Sequence, residues 1–359
     1  MRETVAGLAA TAVLLAGCGP APTTTATTTP TATHTTAPRT APTSAAPTAP
    51  AQPLEAAYER VISQVLPSIV QITTPVGLGS GIVYDTKGHI VTNAHVVGQA
   101  KEMTVTLATG GPPRKAKLVK AFPAGDLAVI KVDDANRLRP ATFADSSKLR
   151  VGQIVLAMGN PLGFSGSVTN GIVSALGRTV SEPQNPDSPG ATIAGAIQTS
   201  AAINPGNSGG ALVDLSGHVI GIPTLAATDP DLGGGAAPGI GFAIPSNTAT
   251  DIAQQIVTQG RVTNTHRAAL GIRGSTVISA QGQPSGVGVI SVQQKTGAAQ
   301  AGIRPGDIIV SIDGKDTLTM ADLAENISTH KPGDRVSVGL IRDNRQRTVT
   351  VTLSELQPD

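Results

Sequence analysis

Asn204-Pro-Gly-Asn-Ser-Gly-Gly-Ala-Leu-Val-Asp-Leu-Ser-Gly-His-Val-Ile220 decides how this chain folds. Its first half sets Ser208 among glycines on a tight turn. Small neighbours let a carbonyl approach the hydroxyl, and such a turn aims backbone N–H groups at one point, as an oxyanion hole requires. Gly206, Asn207 and Ser208 are the residues expected there, with the N–H groups of Gly206 and Ser208 as donors. Its second half is an apolar strand, a D-x-x-G turn and another apolar strand, so a hairpin follows the serine. The bland alternative is a glycine-rich loop with an incidental serine.

The hairpin has an upstream echo. Ser80-Gly-Ile-Val-Tyr-Asp-Thr-Lys-Gly-His-Ile-Val91 aligns without gaps to Gly209–Ile220, with Asp85, Gly88 and His89 on Asp214, Gly217 and His218. Around both lie short β-branched runs (SIVQIT, HIVTNAHVV, MTVTLAT, KAKLVKA, LAVIKV) separated by turn residues, a pattern for all-β barrels or sandwiches. Two like hairpins predict two like barrels in tandem. Composition agrees: 41 Gly and 27 Pro favour turns over helical bundles, and 2% aromatics with no Trp leave the cores to Val, Ile, Leu and Ala. A net charge of +2 without a Lys/Arg cluster excludes nucleic acid as an expected partner.

Serine is a weak nucleophile without a base. His95, in Thr92-Asn-Ala-His-Val-Val97, ends an apolar strand among small and β-branched residues. Asp126 opens Asp-Leu-Ala-Val-Ile-Lys131 directly before a buried strand, whereas Asp133, Asp134 and Asp145 sit in polar stretches. A core histidine and a strand-capping aspartate are the structural alternatives. The order His, Asp, Ser is that of the chymotrypsin triad. The serine also satisfies the G-x-S-x-G elbow of α/β-hydrolases, but an elbow needs a helix after it and its acid and histidine downstream. His89 and His218 are expected as exposed hairpin residues, and His266 and His330 as linker and helix-end residues without chemistry.

The first eighteen residues, with Arg2, an uncharged run Val5–Ala16 and then Leu-Ala-Gly-Cys18, have the make-up of a secretory signal too short to span as a helix. The ending resembles a bacterial lipobox, which implies a lipid on Cys18, the sole cysteine, and no disulfide within the chain. Residues 19–53 are Thr, Pro and Ala, a composition that cannot build a core and is expected to act as a tether. Residues 54–261 are expected to be the double-barrel domain that carries the triad and 268–355 a second module of strands around one or two helices.

TNAHVV, DLAVIKV and GNSGGAL resemble the three signature segments of the HtrA (Deg) serine proteases, and the likeness runs from about Leu54 to Leu353. It implies a mainly β fold, a chymotrypsin-like double β-barrel followed by a PDZ domain. It also implies ATP-independent cleavage of unfolded envelope proteins, no cofactor or metal, and a homotrimer, for which Tyr58 is the sole N-terminal aromatic. AGIRPGDIIVSIDG resembles the PDZ signature, which implies that Leu270, Gly271 and Ile272 receive the carboxylate of a peptide C-terminus. A specificity pocket is expected near Ile203 and Leu225, without an acidic residue. The segments Arg178–Gly195, Ala201–Gly206 and Ala226–Gly239 are expected to be mobile regulators of the serine loop. A holdase that binds without cutting and a serine esterase are the competing readings; the complete triad disfavours the first, the hairpin after Ser208 the second.

Overall fold

The computed structural model describes residues 53–75, 77–160, 166–182, 191–204, 206–229 and 235–357. Cys18 and the Thr/Pro/Ala tract lie outside them. Six strands, β1 (Ile69–Thr74), β2 (Gly77–Val83), β3 (His89–Thr92), β4 (Glu102–Leu107), β5 (Arg114–Phe122) and β6 (Leu127–Val132), close a barrel in the order β1-β2-β3-β6-β5-β4. Six more, β7 (Ile154–Gly159), β8 (Ser167–Glu182), β9 (Ala191–Thr199), β10 (Ala211–Asp214), β11 (Val219–Asp229) and β12 (Gly235–Pro245), close a second barrel. Numbered from its own first strand, each barrel runs first, second, third, sixth, fifth, fourth.

The tandem barrels match the expectation, but the echo that suggested them does not mark equivalent places. The first hairpin joins the second and third strands of its barrel, the other the fourth and fifth strands of its own. What the two share is turn chemistry. Asp85 Oδ1 accepts from the Lys87 and His89 N–H groups at 2.9 and 3.0 Å, and Asp214 Oδ1 from those of Ser216 and His218 at the same distances. Gly88 and Gly217 close the turns at φ +91° and +79°, where a Cβ would be strained.

Strands β6 and β7 read as nearly continuous apolar runs because both of their faces are buried. On β6, Leu127 and Val129 enter a core shared by the two barrels, while Ala128, Ile130 and Val132 fill the core of the first barrel alone. On β7, Leu156 and Met158 join the shared core and Val155 and Ala157 that of the second barrel. This is the strand period of two with apolar residues on both faces, broken on β6 by the exposed Lys131. Three helices accompany the barrels: α1 (Pro53–Val65), α2 (Ala94–Val97), which carries His95 where the sequence read the end of a strand, and α3 (Ser246–Gln259). Val61 and Val65 of α1 and Ile252 and Ile256 of α3 cover the shared core, and Tyr58 packs half-buried against it.

The remaining strands are β13 (Ala268–Ala269), β14 (Ile272–Ile278), β15 (Pro284–Val292), β16 (Ile308–Ile312), β17 (Lys315–Asp316), β18 (Arg335–Arg342), β19 (Arg345–Thr352) and β20 (Ser354–Glu355). They form a sheet β14-β15-β16-β18-β19, with β17 on β16, and a separate β13-β20 pair. Helix α4 (Gly297–Gln300) and helix α5 (Met320–Ser328) accompany them. Thr319 and Asp322 form a reciprocal capping box at the start of α5. Residues 51–359 form one compact unit.

One expectation is corrected. His89 is buried rather than exposed, because its ring Nδ1 meets Asp85 Oδ2 at 2.6 Å. Of the segment 178–195, the ends lie on β8 and β9, paired as far as Glu182 opposite Ala191, and residues 183–190 lie outside the described residues. Of the segment 226–239, the ends lie on β11 and β12, paired out to Asp229 opposite Gly235, and residues 230–234 lie outside the described residues.

Candidate active site

Strands β3 and β6 are antiparallel neighbours, with Thr92 opposite Ala128. The chain leaving β3 therefore meets the chain entering β6, and this brings His95 to Asp126. A turn of 3-10 helix, Pro123–Gly125, precedes Asp126, whose N–H returns to Pro123 O at 2.9 Å while its φ is +52°. Aspartate tolerates this left-handed conformation better than most residues. Asn93 Nδ2 donates to Asp126 O at 2.9 Å. Among the described residues, Asn93 Oδ1 is the buried side-chain polar atom left without a partner.

The Asp126 carboxylate is 2% exposed and is satisfied from three directions. His95 Nδ1 lies 3.0 Å from Oδ1 and 2.9 Å from Oδ2, and the His95 backbone N–H donates to Oδ1 at 3.0 Å. The third donor comes from the other barrel: the Thr224 hydroxyl, on β11, donates to Oδ2. The carbonyl of the same Thr224 accepts from the Ser208 hydroxyl at 3.3 Å. One residue of the second barrel thus touches both the aspartate of the first and the serine of the second. The sequence carried one faint mark of it, a threonine within the otherwise apolar run Val219–Ala227.

Ser208 is held against the end of β3. A Cβ on Gly209 would lie 2.3 Å from Ser80 O and Thr92 Oγ1 and 3.2 Å from Asn93 N, so the approach of the two chains requires glycine there. The Ser80 N–H donates to Ser208 O at 2.9 Å, and the Ser80 hydroxyl donates to Gly206 O. Gly206 has φ +109°. The Asn207 N–H turns back to Asn204 O at 3.0 Å, and its side-chain amide donates to Ala202 O at 3.2 Å. Gly209 and Gly210 N–H groups bond Pro223 O and Asn207 O. Of the expected oxyanion residues, Asn207 therefore spends its N–H inside the turn. The N–H groups of Gly206 and Ser208 meet no acceptor among the described residues.

Ile203 is buried in the core of the second barrel and packs over β12, where a Cβ on Gly241 would lie 2.4 Å from Ile203 Cγ1. Leu225 stands on β11 opposite Phe242 of β12, one residue from the pairing of Ala226 with Gly241. Leu270 is a core residue of the C-terminal sheet, and Ile272 packs against that core. Gly271 between them has φ +83°, and its carbonyl accepts from Gln293 N–H at 2.9 Å. Asp133, Asp134 and Asp145 are exposed. His266 faces Asp251 at 3.6 Å, and His330 faces Asp313 at 3.4 Å, both away from this cluster in sequence and partners.

A family model described as a trypsin-like peptidase domain matches residues 79–222, and one described as a PDZ domain matches residues 261–353. The chain is 40% identical over 288 residues to the periplasmic pH-dependent serine endoprotease DegQ of Escherichia coli (strain K12), covering 77% of this chain and 59% of that protein. It is 42% identical over 287 residues to the periplasmic serine endoprotease DegP of the same strain, covering 77% and 57%. The chain thus spans a little over half the length of these two relatives. It is 40% identical over 297 residues to the serine protease Do-like HtrA of Lactococcus lactis subsp. cremoris (strain MG1363), covering 78% of this chain and 72% of that one. Among solved structures, the HtrA-type protease AlgW with tripeptide matches at TM-score 0.56 and 34% identity, over 84% of this chain and 98% of that chain. With a trypsin-like domain followed by a PDZ domain, and with serine proteases of this kind matching at 40% identity or more, the chain belongs to the HtrA family of serine proteases.

Proposed function

We propose that this protein is a serine endopeptidase of the bacterial envelope that cleaves unfolded polypeptides through an acyl-enzyme. The observation that carries the reading is the Asp126 carboxylate, buried and bonded at once to His95 Nδ1 and to Thr224, whose carbonyl meets Ser208. With Nδ1 turned to the carboxylate, Nε2 is the ring nitrogen that takes the serine proton. Ser208 Oγ attacks the scissile carbonyl, and the proton passes to His95 and then to the leaving amine. Asp126 holds the tautomer and stabilises the imidazolium. The N–H groups of Gly206 and Ser208 receive the oxyanion. Water, deprotonated by the same histidine, releases the acyl group.

Ile203 and Leu225 form the wall of the specificity pocket, and with no acid in either segment the enzyme cleaves after small or medium aliphatic residues. Leu270, Gly271 and Ile272 present the PDZ module to peptide C-termini; relatives of known structure carry a decapeptide or a tripeptide. Residues 54–261 and 268–355 serve as the two domains, and a lipid on Cys18 keeps them at the outer face of the cytoplasmic membrane.

Ser208→Ala tests the core of this. Turnover of unfolded casein should fall by about 10⁶-fold, covalent labelling by a fluorophosphonate should vanish, and the melting temperature should stay put. A parent protein that neither cleaves nor labels would leave only a binding role.

A further inference from the structure

The turn that presents Asp126 is also held from the segment that joins the barrels to the PDZ module. Arg267 Nη1 donates to Ala124 O at 2.9 Å, two residues before Asp126. The side chain is part-exposed as a whole, but its charged end is desolvated: burial lowers the guanidinium to about 10. It therefore remains protonated at neutral pH. Desolvation is the whole of that shift, with no carboxylate opposing it. A buried cation without a counter-charge is costly, and a linker whose only duty was to connect would leave its arginine in water. Here the charged end is spent on one carbonyl of the Pro123–Gly125 turn.

The backbone of Arg267 is itself clamped by the far end of the chain. Its carbonyl accepts from Leu356 N–H at 2.7 Å. Beside it, Thr265 N–H donates to Glu355 Oε1 at 2.7 Å and the Thr265 hydroxyl to Leu356 O at 2.9 Å. Ala268 and Ala269 of β13 pair with Glu355 and Ser354 of β20. The Asp126 turn then has three anchors from three parts of the molecule: Asn93 on Asp126 O, Thr224 on its carboxylate and Arg267 on Ala124 O.

We infer that Arg267 is a positioning residue for the acid of the triad, tying the alignment of Asp126 with His95 to the docked position of the PDZ module's C-terminal strand. The inference rests on the triad assignment proposed above. It acts through geometry: a turn released at Ala124 O lets the carboxylate drift from His95 Nδ1, and the imidazolium formed during attack loses stabilisation.

The test is Arg267→Met, which keeps the packed stem and removes the desolvated charge together with its donors. Loss of one charge-assisted hydrogen bond is worth roughly a factor of ten in rate. The expected result is a fluorophosphonate labelling rate and a kcat about tenfold lower, with KM within about twofold and an unchanged or raised melting temperature. The acid limb of the pH profile should also move to lower pH, because a loosened carboxylate supports the His95 cation less. A variant that labels at the parent rate with the parent acid limb overturns the inference, whatever its melting temperature. So does a change confined to KM. Should Arg267→Met fail to fold, Arg267→Gln is read by the same labelling rate and limb, with the same outcomes deciding. If the parent protein itself does not label, the triad reading fails separately. The Asp126 amide, bonded to Pro123 O, still decides whether Arg267 holds the turn: faster hydrogen exchange in the variant supports it, and equal exchange overturns it.

Discussion

The two barrels have one strand order and unlike duties. In the first, chemistry gathers where the third strand ends and the sixth begins, at His95 and Asp126. In the second, it gathers on the fourth and fifth strands, at the turn before β10 and at Thr224 on β11. Had the halves kept their roles after a duplication, the serine would face the junction of β9 with β12. The difference teaches that the repeated element is the barrel, whose cyclic order closes without edges, and that the site grows from whichever ends of the two barrels meet. Each half is incomplete alone, and Thr224 is where they join.

The largest break in that comparison falls on the first barrel. Asp126→Asn keeps the shape of the side chain and removes the charge that selects the His95 tautomer. A fall in kcat of about 10⁴-fold is expected, read at saturating substrate, with little change in folding because Asn93 still holds Asp126 O. A fall of less than about tenfold would assign the orienting role elsewhere. Thr224→Val then asks what the second barrel contributes to the acid of the first. The substitution deletes one hydroxyl donor to Oδ2 and leaves the carbonyl that meets Ser208. A charge-assisted hydrogen bond of this kind is worth about 1.5–3 kcal/mol, so kcat should fall by on the order of ten- to a hundredfold while KM holds. Equal kcat in the variant would mean that the barrels meet at this point without exchanging chemistry.

How far these roles were legible follows from the range over which each is determined. The serine turn, the base and the acid each announced themselves within seven residues, because small neighbours, a strand end and a buried strand are local conditions. The barrels were legible through hairpins and apolar runs, and doubly buried strands such as β6 explain why those runs lacked alternation. Thr224 was legible only as a threonine in an apolar run, and Ser80 and Arg267 not at all: the partners of the three lie 98, 126 and 143 residues away, beyond the reach of any local pattern. His89 was misread for the same reason in reverse. A histidine after a turn glycine is usually exposed, but its Asp85 partner, four residues away, pairs with it and lets it be buried.

The smallest expected effect separates the two turns that looked alike in sequence. Asp85 and Asp214 each receive two backbone N–H groups, so replacing either with Ala releases two donors at an exposed turn. Asp85 alone adds a contact of 2.6 Å to a buried histidine. Each loss should cost about 1 kcal/mol for the turn, and Asp85→Ala about 1 kcal/mol more for the histidine. Chemical denaturation of the two variants at pH 7 reads the difference, and equal midpoints would mean that the His89 contact adds nothing. Acid gives a second reading of the same contact. Burial pushes the Asp85 carboxyl up, but hydrogen bonds from the His89 ring and from the His89 and Lys87 N–H groups, with the histidine's charge, more than offset it and hold it below the usual range. A carboxyl lowered by folding stabilises fully above its unfolded value, about 3.9, and that contribution is lost as pH falls through the folded value. The gap between parent and Asp85→Ala should therefore narrow below about pH 4. A gap that persists undiminished into that acid range would show that Asp85 steadies its turn by shape rather than by charge.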